Sequence, residues 1–481
     1  PGKPGGGGTD PEEPPVIDYS QGFEFSDVNL IIGEAERVTI LSGTVDEPLA
    51  LNWSQDTQDN ASTRSVITAN LDGAGSPEIV VSRYCGAGKV KGQAYYKLFI
   101  NVFHEEDPSY TRSVDPDNTY GLFATTYTSN PIIDIMSYPA KVAAGDLDGD
   151  GDDELVVAGR TQVAAFDFDP TPDSGDVLNE GLKLLWIKEL SINPGDPDMD
   201  MWTRDVLVAD IDAVYADGDA GAEVIIGSNA TNDQRHYTVQ PYLHVVWDPQ
   251  LTDPSVTPIR VGEAWVHNPS LDRLALARIE GNVSVVGMFQ LNYNGCFHLD
   301  FPIPETSVAV LDVTSAAAQI DLVPYGLGSD DYLWRVLEII GDLNGDGQDE
   351  FVTTRHIETI DPQQSYFNDI LEIWEFGGDG PVFSYGYGPQ GTLPQGTLNQ
   401  SASFEAMLRP VRVSDMNKDG HPELIVGGDL RSATSEPWTP YLEVFEVGRD
   451  DSGSITGLTP LNGNLGSSLT ATPREIAIYV K

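Results

Sequence analysis

Residues Gly145–Gly159 read GDLDGDGDDELVVAG. Carboxylates recur at Asp146, Asp148 and Asp150, glycines interrupt them, and Glu154 opens a hydrophobic run suited to a strand. The pattern is D-x-[DN]-x-D-G-x-x-E, and it returns. GDLNGDGQDEFVTT begins at Gly341, SDMNKDGHPELIVGG at Ser414, and ADIDAVYADGDAGAEVIIG, with an insertion, at Ala209. The first aspartates, Asp146, Asp210, Asp342 and Asp415, lie 64, 132 and 73 residues apart. The middle gap is two periods of about 66, so it should hide a repeat without an acidic loop. Leu274–Ala277, a tight Glu280-Gly281-Asn282 turn and Val283–Gly287 supply it. A sixth copy, ITANLDGAGSPEIVVS, begins at Ile67, where Ala74 stands at the third acidic position.

The seventh copy is split. One period after Asp415 the sequence runs Glu475-Ile476-Ala477-Ile478-Tyr479-Val480, which resembles the strand ahead of each loop. The strand that should follow is Val28–Gly33, with further strand-like runs at Arg37–Leu41 and Leu49–Trp53. Each repeat reads as four short strands rich in Val, Ile, Tyr, Phe and Trp. Seven such units closed by both ends of the chain predict an all-β, seven-bladed β-propeller of four-stranded antiparallel blades over residues 22–481. Residues 1–21, PGKPGGGGTDPEEPPVIDYSQ, should form an extended Pro/Gly-rich arm.

The charge balance narrows the partners. There are 75 acidic against 26 basic residues, a net charge of −49. That excludes nucleic acid and anionic membrane as natural partners and favours cations. No apolar run is long enough to span a membrane. Two cysteines, Cys85 and Cys296, offer no zinc spacing.

In the loops, side chains 1, 3 and 5 turn inward, the carbonyl of residue 7 adds an oxygen, and the Glu at position 9 closes the site. Calcium takes six to eight such hard oxygens in irregular geometry. The spacing is like that of an EF-hand, but the Glu comes too early and strands flank the loop. Motif and following strand together resemble the FG-GAP and VCBS repeats of integrin α-subunit heads and secreted bacterial proteins. The resemblance implies a loop joining the innermost strand of a blade to the next, and about four calcium ions. Carried over residue by residue, the first site is Asp146, Asp148, Asp150, the Asp152 carbonyl and Glu154. The second is Asp210, Asp212, Asp217, Asp219 and Glu223. The third is Asp342, Asn344, Asp346, Gln348 and Glu350, and the fourth Asp415, Asn417, Asp419, His421 and Glu423. The Asn70–Glu78 copy is left open. The ions are expected to be structural, locking the first hairpin of each blade.

A second repeated feature is basic. Arg64, Lys141, Arg204, Arg273, Arg335, Arg409 and Arg474 are expected to open the seven inner strands, most of them five to seven residues before the loop. They would ring the channel mouth opposite the acidic loops. Such a ring can hold an anionic protein or glycan, or each residue can pair with a neighbouring blade's carboxylate. Trp202 and Trp334, close to two of them, suit a sugar platform or the core.

No GxSxG, HExxH or Walker loop occurs, and the histidines lack partners at motif spacing. The first reading is therefore a calcium-stabilised recognition or adhesion module, extracellular or at the cell surface. A structural subunit that self-assembles through the N-terminal arm is the alternative. A polysaccharide-lyase-like enzyme using an Asp/Glu pair is the third.

Overall fold

The computed structural model describes residues 24–44, 49–56, 62–90, 93–103, 105, 112–113, 141–159, 162–168, 182–190, 200–211, 222–231, 239–247, 249, 253–261, 270–290, 306–311, 319–320, 325–326, 333–361, 364–376, 378, 380–386, 405–431, 437–450, 453–461 and 463–481. The proposed arm, 1–21, lies outside them.

Blade 1 runs outward through Ser62–Ala69, Glu78–Val90, Gln93–Phe103 and Arg112–Ser113. Blade 2 is Lys141–Gly145, Glu154–Ala158, Gln162–Phe168 and Leu182–Glu189, and blade 3 is Asp200–Ala209, Glu223–Thr231, Val239–Trp247 and Ser255–Val261. Blade 4 is Ser270–Ile279, Asn282–Gln290, Thr306–Leu311 and Tyr325–Gly326. Blade 5 is Leu333–Gly341, Glu350–Asp361, Gln364–Glu375 and Phe383–Gly386, and blade 6 is Glu405–Ser414, Glu423–Arg431, Thr439–Arg449 and Ile455–Pro460. Blade 7 takes its inner strand, Glu475–Val480, from the C-terminal end of the chain. Val28–Gly33, Arg37–Gly43 and Ala50–Asp56 complete it.

Val28 pairs with Val480 and Gly33 with Glu475, antiparallel and without a slip. The seven inner strands touch one another in cyclic order, blade 7 against blade 1, so the ring is closed. The loopless blade 4 turns on Glu280 (φ 52°) and Gly281 (φ 81°), a two-residue turn with both central residues left-handed, which suits the twist of a hairpin.

Alternation along each strand builds the core. In Glu154–Ala158 all five residues are buried. Leu155 and Val157 pack with blade 1 residues Val80 and Ile100, while Val156 and Ala158 pack with blade 3 residues Val224 and Ile226. The same division around the ring gives seven apolar clusters among the described residues, one between each pair of neighbouring blades. Each blade is thus held by its neighbours. The close approach is visible at Gly227, where an added Cβ would lie 2.5 Å from Leu271 Cδ2 of blade 4. Gly227→Val should therefore overpack the blade 3–4 contact and cost about 2 kcal/mol, read as a lower denaturation midpoint.

Candidate metal centres and the channel

Each acidic loop joins an inner strand to the second strand of its blade. Loop 2 shows how the chain arranges itself. Asp146 Oδ1 accepts the N–H of Gly149 (2.6 Å) and Asp150 (3.1 Å), and its Oδ2 accepts that of Gly151 (3.1 Å). Asp148 accepts from Asp150 N (3.2 Å), and Asp150 from Asp152 N (3.0 Å). Short side chains that cap nearby backbone N–H groups are what such turns are made of. Gly149 and Gly151 adopt φ of 79° and 102°, where a side chain would be strained.

Loop 5 repeats the scheme. Asp342 takes Gly345 N, Asp346 N and Gly347 N, Asn344 takes Asp346 N, and Asp346 takes Gln348 N, at 2.6–3.1 Å. In loop 6 Asp415 takes Asp419 N and Gly420 N, Asn417 takes Asp419 N, and Asp419 takes His421 N, at 2.8–3.1 Å. Of the second predicted site, Asp210 and Glu223 are described; Asp212, Asp217 and Asp219 lie outside the described residues.

The closing glutamates share one geometry that sequence reading did not anticipate. Glu78, Glu154, Glu223, Glu350 and Glu423 are all buried. Each accepts the N–H of the residue after the first loop position: Leu71 (2.8 Å), Leu147 (2.7 Å), Ile211 (3.0 Å), Leu343 (2.6 Å) and Met416 (2.7 Å). Those five residues are apolar and buried. An apolar residue at position 2 was the available signal: it anchors the loop so that its N–H faces the glutamate.

The carboxylates crowd one another. In loop 2, one ligand oxygen each from Asp146, Asp148 and Glu154 lies within 4.8 Å of the others. Burial, with the neighbouring aspartates adding to it, pushes Glu154 and Glu350 up to about 7. Glu78 is pushed equally far, and Glu423 moves in the same direction. Carboxylates held this close resist ionising together unless a cation joins them. The donors are all oxygens, so the residues present fit a hard divalent ion.

Neighbouring loops are also stitched together. Asp153 N–H donates to Asn70 O (2.8 Å), and Asn70 N–H donates back to Asp153 Oδ2 (2.8 Å). Asp349 makes the same two-way contact with Arg278 of blade 4 (2.8 and 2.6 Å). Ala222, at that position in blade 3, keeps the backbone half, donating to Asp146 O (3.1 Å). Pro77 and Pro422 occupy the position in blades 1 and 6 and have no N–H to give.

Inside the channel lies a charged network. Blades 2 to 7 contribute in order Lys141, Asp205, Arg273, Glu338, Arg412 and Glu475, so the sign alternates around the ring. Glu475 is its hub: Lys141 Nζ lies 3.5 Å and Arg412 Nη2 3.1 Å from its two oxygens. Arg412 Nη1 also reaches Glu338 (3.4 Å). Burial works against the charge on Glu475, but Lys141, Arg412 and Arg273 hold its carboxyl below the ordinary range. Burial also opposes Arg273, and Asp205, Glu475, Asp272 and Glu338 more than offset it. Strict alternation cannot close over seven members. Blade 1 relieves the conflict: five residues ahead of its loop, the place of Lys141 and Asp205, stands uncharged Ser65.

The predicted basic residues take several places. Only Lys141 opens an inner strand. Arg64, Arg204, Arg273, Arg335 and Arg409 lie a few residues inside theirs, and Arg474 just precedes its own. The reason is a β-bulge near the start of five inner strands, where pairing skips Arg64, Arg204, Asp272, Arg335–Val336 and Arg409–Pro410. Bulges add residues and redirect side chains. Lys141 and Arg273 belong to the network. Arg204 Nε is buried with no hydrogen-bond acceptor among the described residues, and Arg474 is exposed. The side chains of Arg335, Arg409, Trp202 and Trp334 lie outside the described residues.

No family model matches the chain, and no curated protein matches it. Among solved structures it is similar to the crystal structure of a protein of unknown function from Dyadobacter fermentans DSM 18053. Identity is 11%, covering 88% of this chain and 100% of that one, with a TM-score of 0.37. A likeness that faint carries no weight for function; the seven-bladed ring stands on its own strand pairing.

Proposed function

We propose that this is a calcium-stabilised propeller of the FG-GAP/VCBS kind that serves as a recognition module outside the cell. The observation that carries the calcium reading is the oxygen cage of Asp146, Asp148 and Glu154, whose hydrogen-bond scheme recurs around Asp342 and Asp415. Asp146, Asp148, Asp150 and Glu154 would hold one ion, and Asp342, Asn344, Asp346 and Glu350 another. Asp415, Asn417, Asp419 and Glu423 would hold a third, and the Asp210–Glu223 loop a fourth. The ion would neutralise carboxylates that otherwise repel and so fix the first hairpin of its blade. Exposed loops of this type suit calcium at extracellular levels, where modules bind with Kd of about 10⁻⁴–10⁻³ M.

The recognition face would be the opposite end of the channel, where the bulged inner strands begin. Lys141 and Arg273 are engaged with carboxylates of the network, and of the ring residues Arg204 is the one we propose an anionic partner meets, with Arg64 and Arg474 near the same strand ends. A guanidinium is suited to a carboxylate or sulfate, which it can hold through two parallel N–H groups. Retention on immobilised polygalacturonate and dextran sulfate, with neutral dextran as control, tests this. Arg204→Glu should weaken retention about tenfold without moving the unfolding midpoint. Equal retention of the variant, or none by the wild type, would sink the anionic-ligand reading.

A further inference from the structure

Resting on the calcium reading, we infer that Glu375 is a positioning residue for loop 5: it holds the amide of Asn344 so that the carbonyl oxygen of that side chain, and not its NH2 group, is left for the ion. An asparagine has one side-chain oxygen where an aspartate has two, so something must decide which end of the amide faces a cation. Asn344 is the third residue of loop 5. Its Nδ2 donates to Glu375 Oε1 (3.2 Å) and, at longer range, to Asp346 Oδ2 (3.4 Å), while its Oδ1 accepts the N–H of Asp346 (2.9 Å). Glu375 ends the third strand of blade 5 and pairs directly with Glu350, the closing glutamate. The strand therefore brings a carboxylate beside the loop, and that carboxylate takes the amide nitrogen. Gly453 of blade 6 packs on the same residue: an added Cβ would lie 2.7 Å from Asn344 Cα and O. Asn344 is thus held by its side chain and covered along its backbone.

The other loops show what this contact replaces. In loop 6 the third residue is Asn417, whose Oδ1 likewise accepts the N–H of Asp419 (2.9 Å). Its Nδ2, however, donates to Glu423 Oε1 (3.0 Å), the closing glutamate itself. An ion shared by Asn417 and Glu423 has to displace that bond first. Glu446 pairs with Glu423 as Glu375 does with Glu350, yet it is exposed, and the amide of Asn417 is turned to Glu423 instead. In loop 2 the third residue is Asp148, whose two oxygens are equivalent, so nothing need orient it. A group that orients a metal ligand in this way typically accounts for about 10–100-fold in affinity.

Calorimetric titration with calcium chloride tests this on the full chain carrying Asp72→Ala, Asp150→Ala, Asp210→Ala and Asp419→Ala, a parent in which loop 5 is left intact. The parent should take up calcium at loop 5. Adding Glu375→Met should weaken that uptake about tenfold, with the unfolding midpoint in excess chelator unmoved. Glu375→Gln, whose amide oxygen still accepts from Asn344, should stay within about threefold of the parent. With Asn344→Asp in place, Glu375→Met should cost no affinity, because a carboxylate needs no orienting. Unchanged affinity on adding Glu375→Met to the parent overturns the inference. So does a loss with Glu375→Gln as large as that with Glu375→Met, or a Glu375→Met loss that persists beside Asn344→Asp, since either means that Glu375 acts through its charge. No uptake by the parent overturns the calcium reading of loop 5, and the inference with it.

Discussion

Chelating calcium should lower the thermal unfolding midpoint by about 6 °C, and returning calcium, but not magnesium, should restore it. An ion at ten times its Kd stabilises the folded state by roughly 1.4 kcal/mol per site, so four sites supply about 6 kcal/mol. A chain this long gains about 1 kcal/mol of unfolding free energy per degree near its midpoint, which converts that sum into degrees. Magnesium should fail because it demands a small octahedral shell and dehydrates reluctantly, whereas these loops offer irregular carboxylate and carbonyl oxygens. Differential scanning calorimetry in matched buffers decides the matter. An unchanged midpoint with excess chelator would remove the structural role for the ions.

Glu475→Gln should destabilise the ring by about 3 kcal/mol, although it alters neither size nor shape. Removing that charge leaves Lys141, Arg273 and Arg412 without the carboxylate that all three share. Breaking a buried ion pair from one side costs 3–5 kcal/mol in general, and the low end applies because Arg412 keeps 31% of its side chain exposed. Combining Glu475→Gln with Lys141→Met should recover part of the loss, since the double variant no longer strands a cation. Denaturant titration of the two single variants and the double gives the coupling. Strictly additive losses would show that the network is not one unit.

The fold was legible because one local motif marks the same place in five of the seven blades, and its period locates the other two. The loop starting at Asp146 has the same phase as those at Asp342 and Asp415, and the strands on either side of it follow. Val28–Gly33 and Glu475–Val480 were recognisable as two halves of one blade by the same phase. The channel was much less legible. Counting back from the loop singles out Arg409 in blade 6, yet the cation that meets Glu475 is Arg412, because a bulge between Leu408 and Val411 shifts the register. Asp205, Glu338 and Glu475 were hidden for another reason. In a chain with 75 acidic residues, no single carboxylate stands out. Which of them meet is decided by ring closure, bringing together residues as far apart as Lys141 and Glu475. The latch at Asp153 and Asp349, and its loss at Pro77 and Pro422, could have been read from the aligned loops, because proline is conspicuous where an N–H is used.

The split blade has a kinetic consequence. Blades 1 to 6 are made of strands adjacent in sequence, so their hairpins can form from local encounters. Blade 7 alone needs Val28 to find Val480. Bringing such distant ends together costs roughly 5 kcal/mol of chain entropy if nothing between them is ordered, and far less once six blades already curve the ends toward each other. Closure should thus come last, and the high contact order of that final pairing should set the pace of folding. Until it happens, Val28–Gly33 is a naked apolar edge, and the blade 6 face bearing Met416, Ile425 and Val444 has nothing to cover it. The interval before the two ends meet is when this protein is most exposed to aggregation and to proteases.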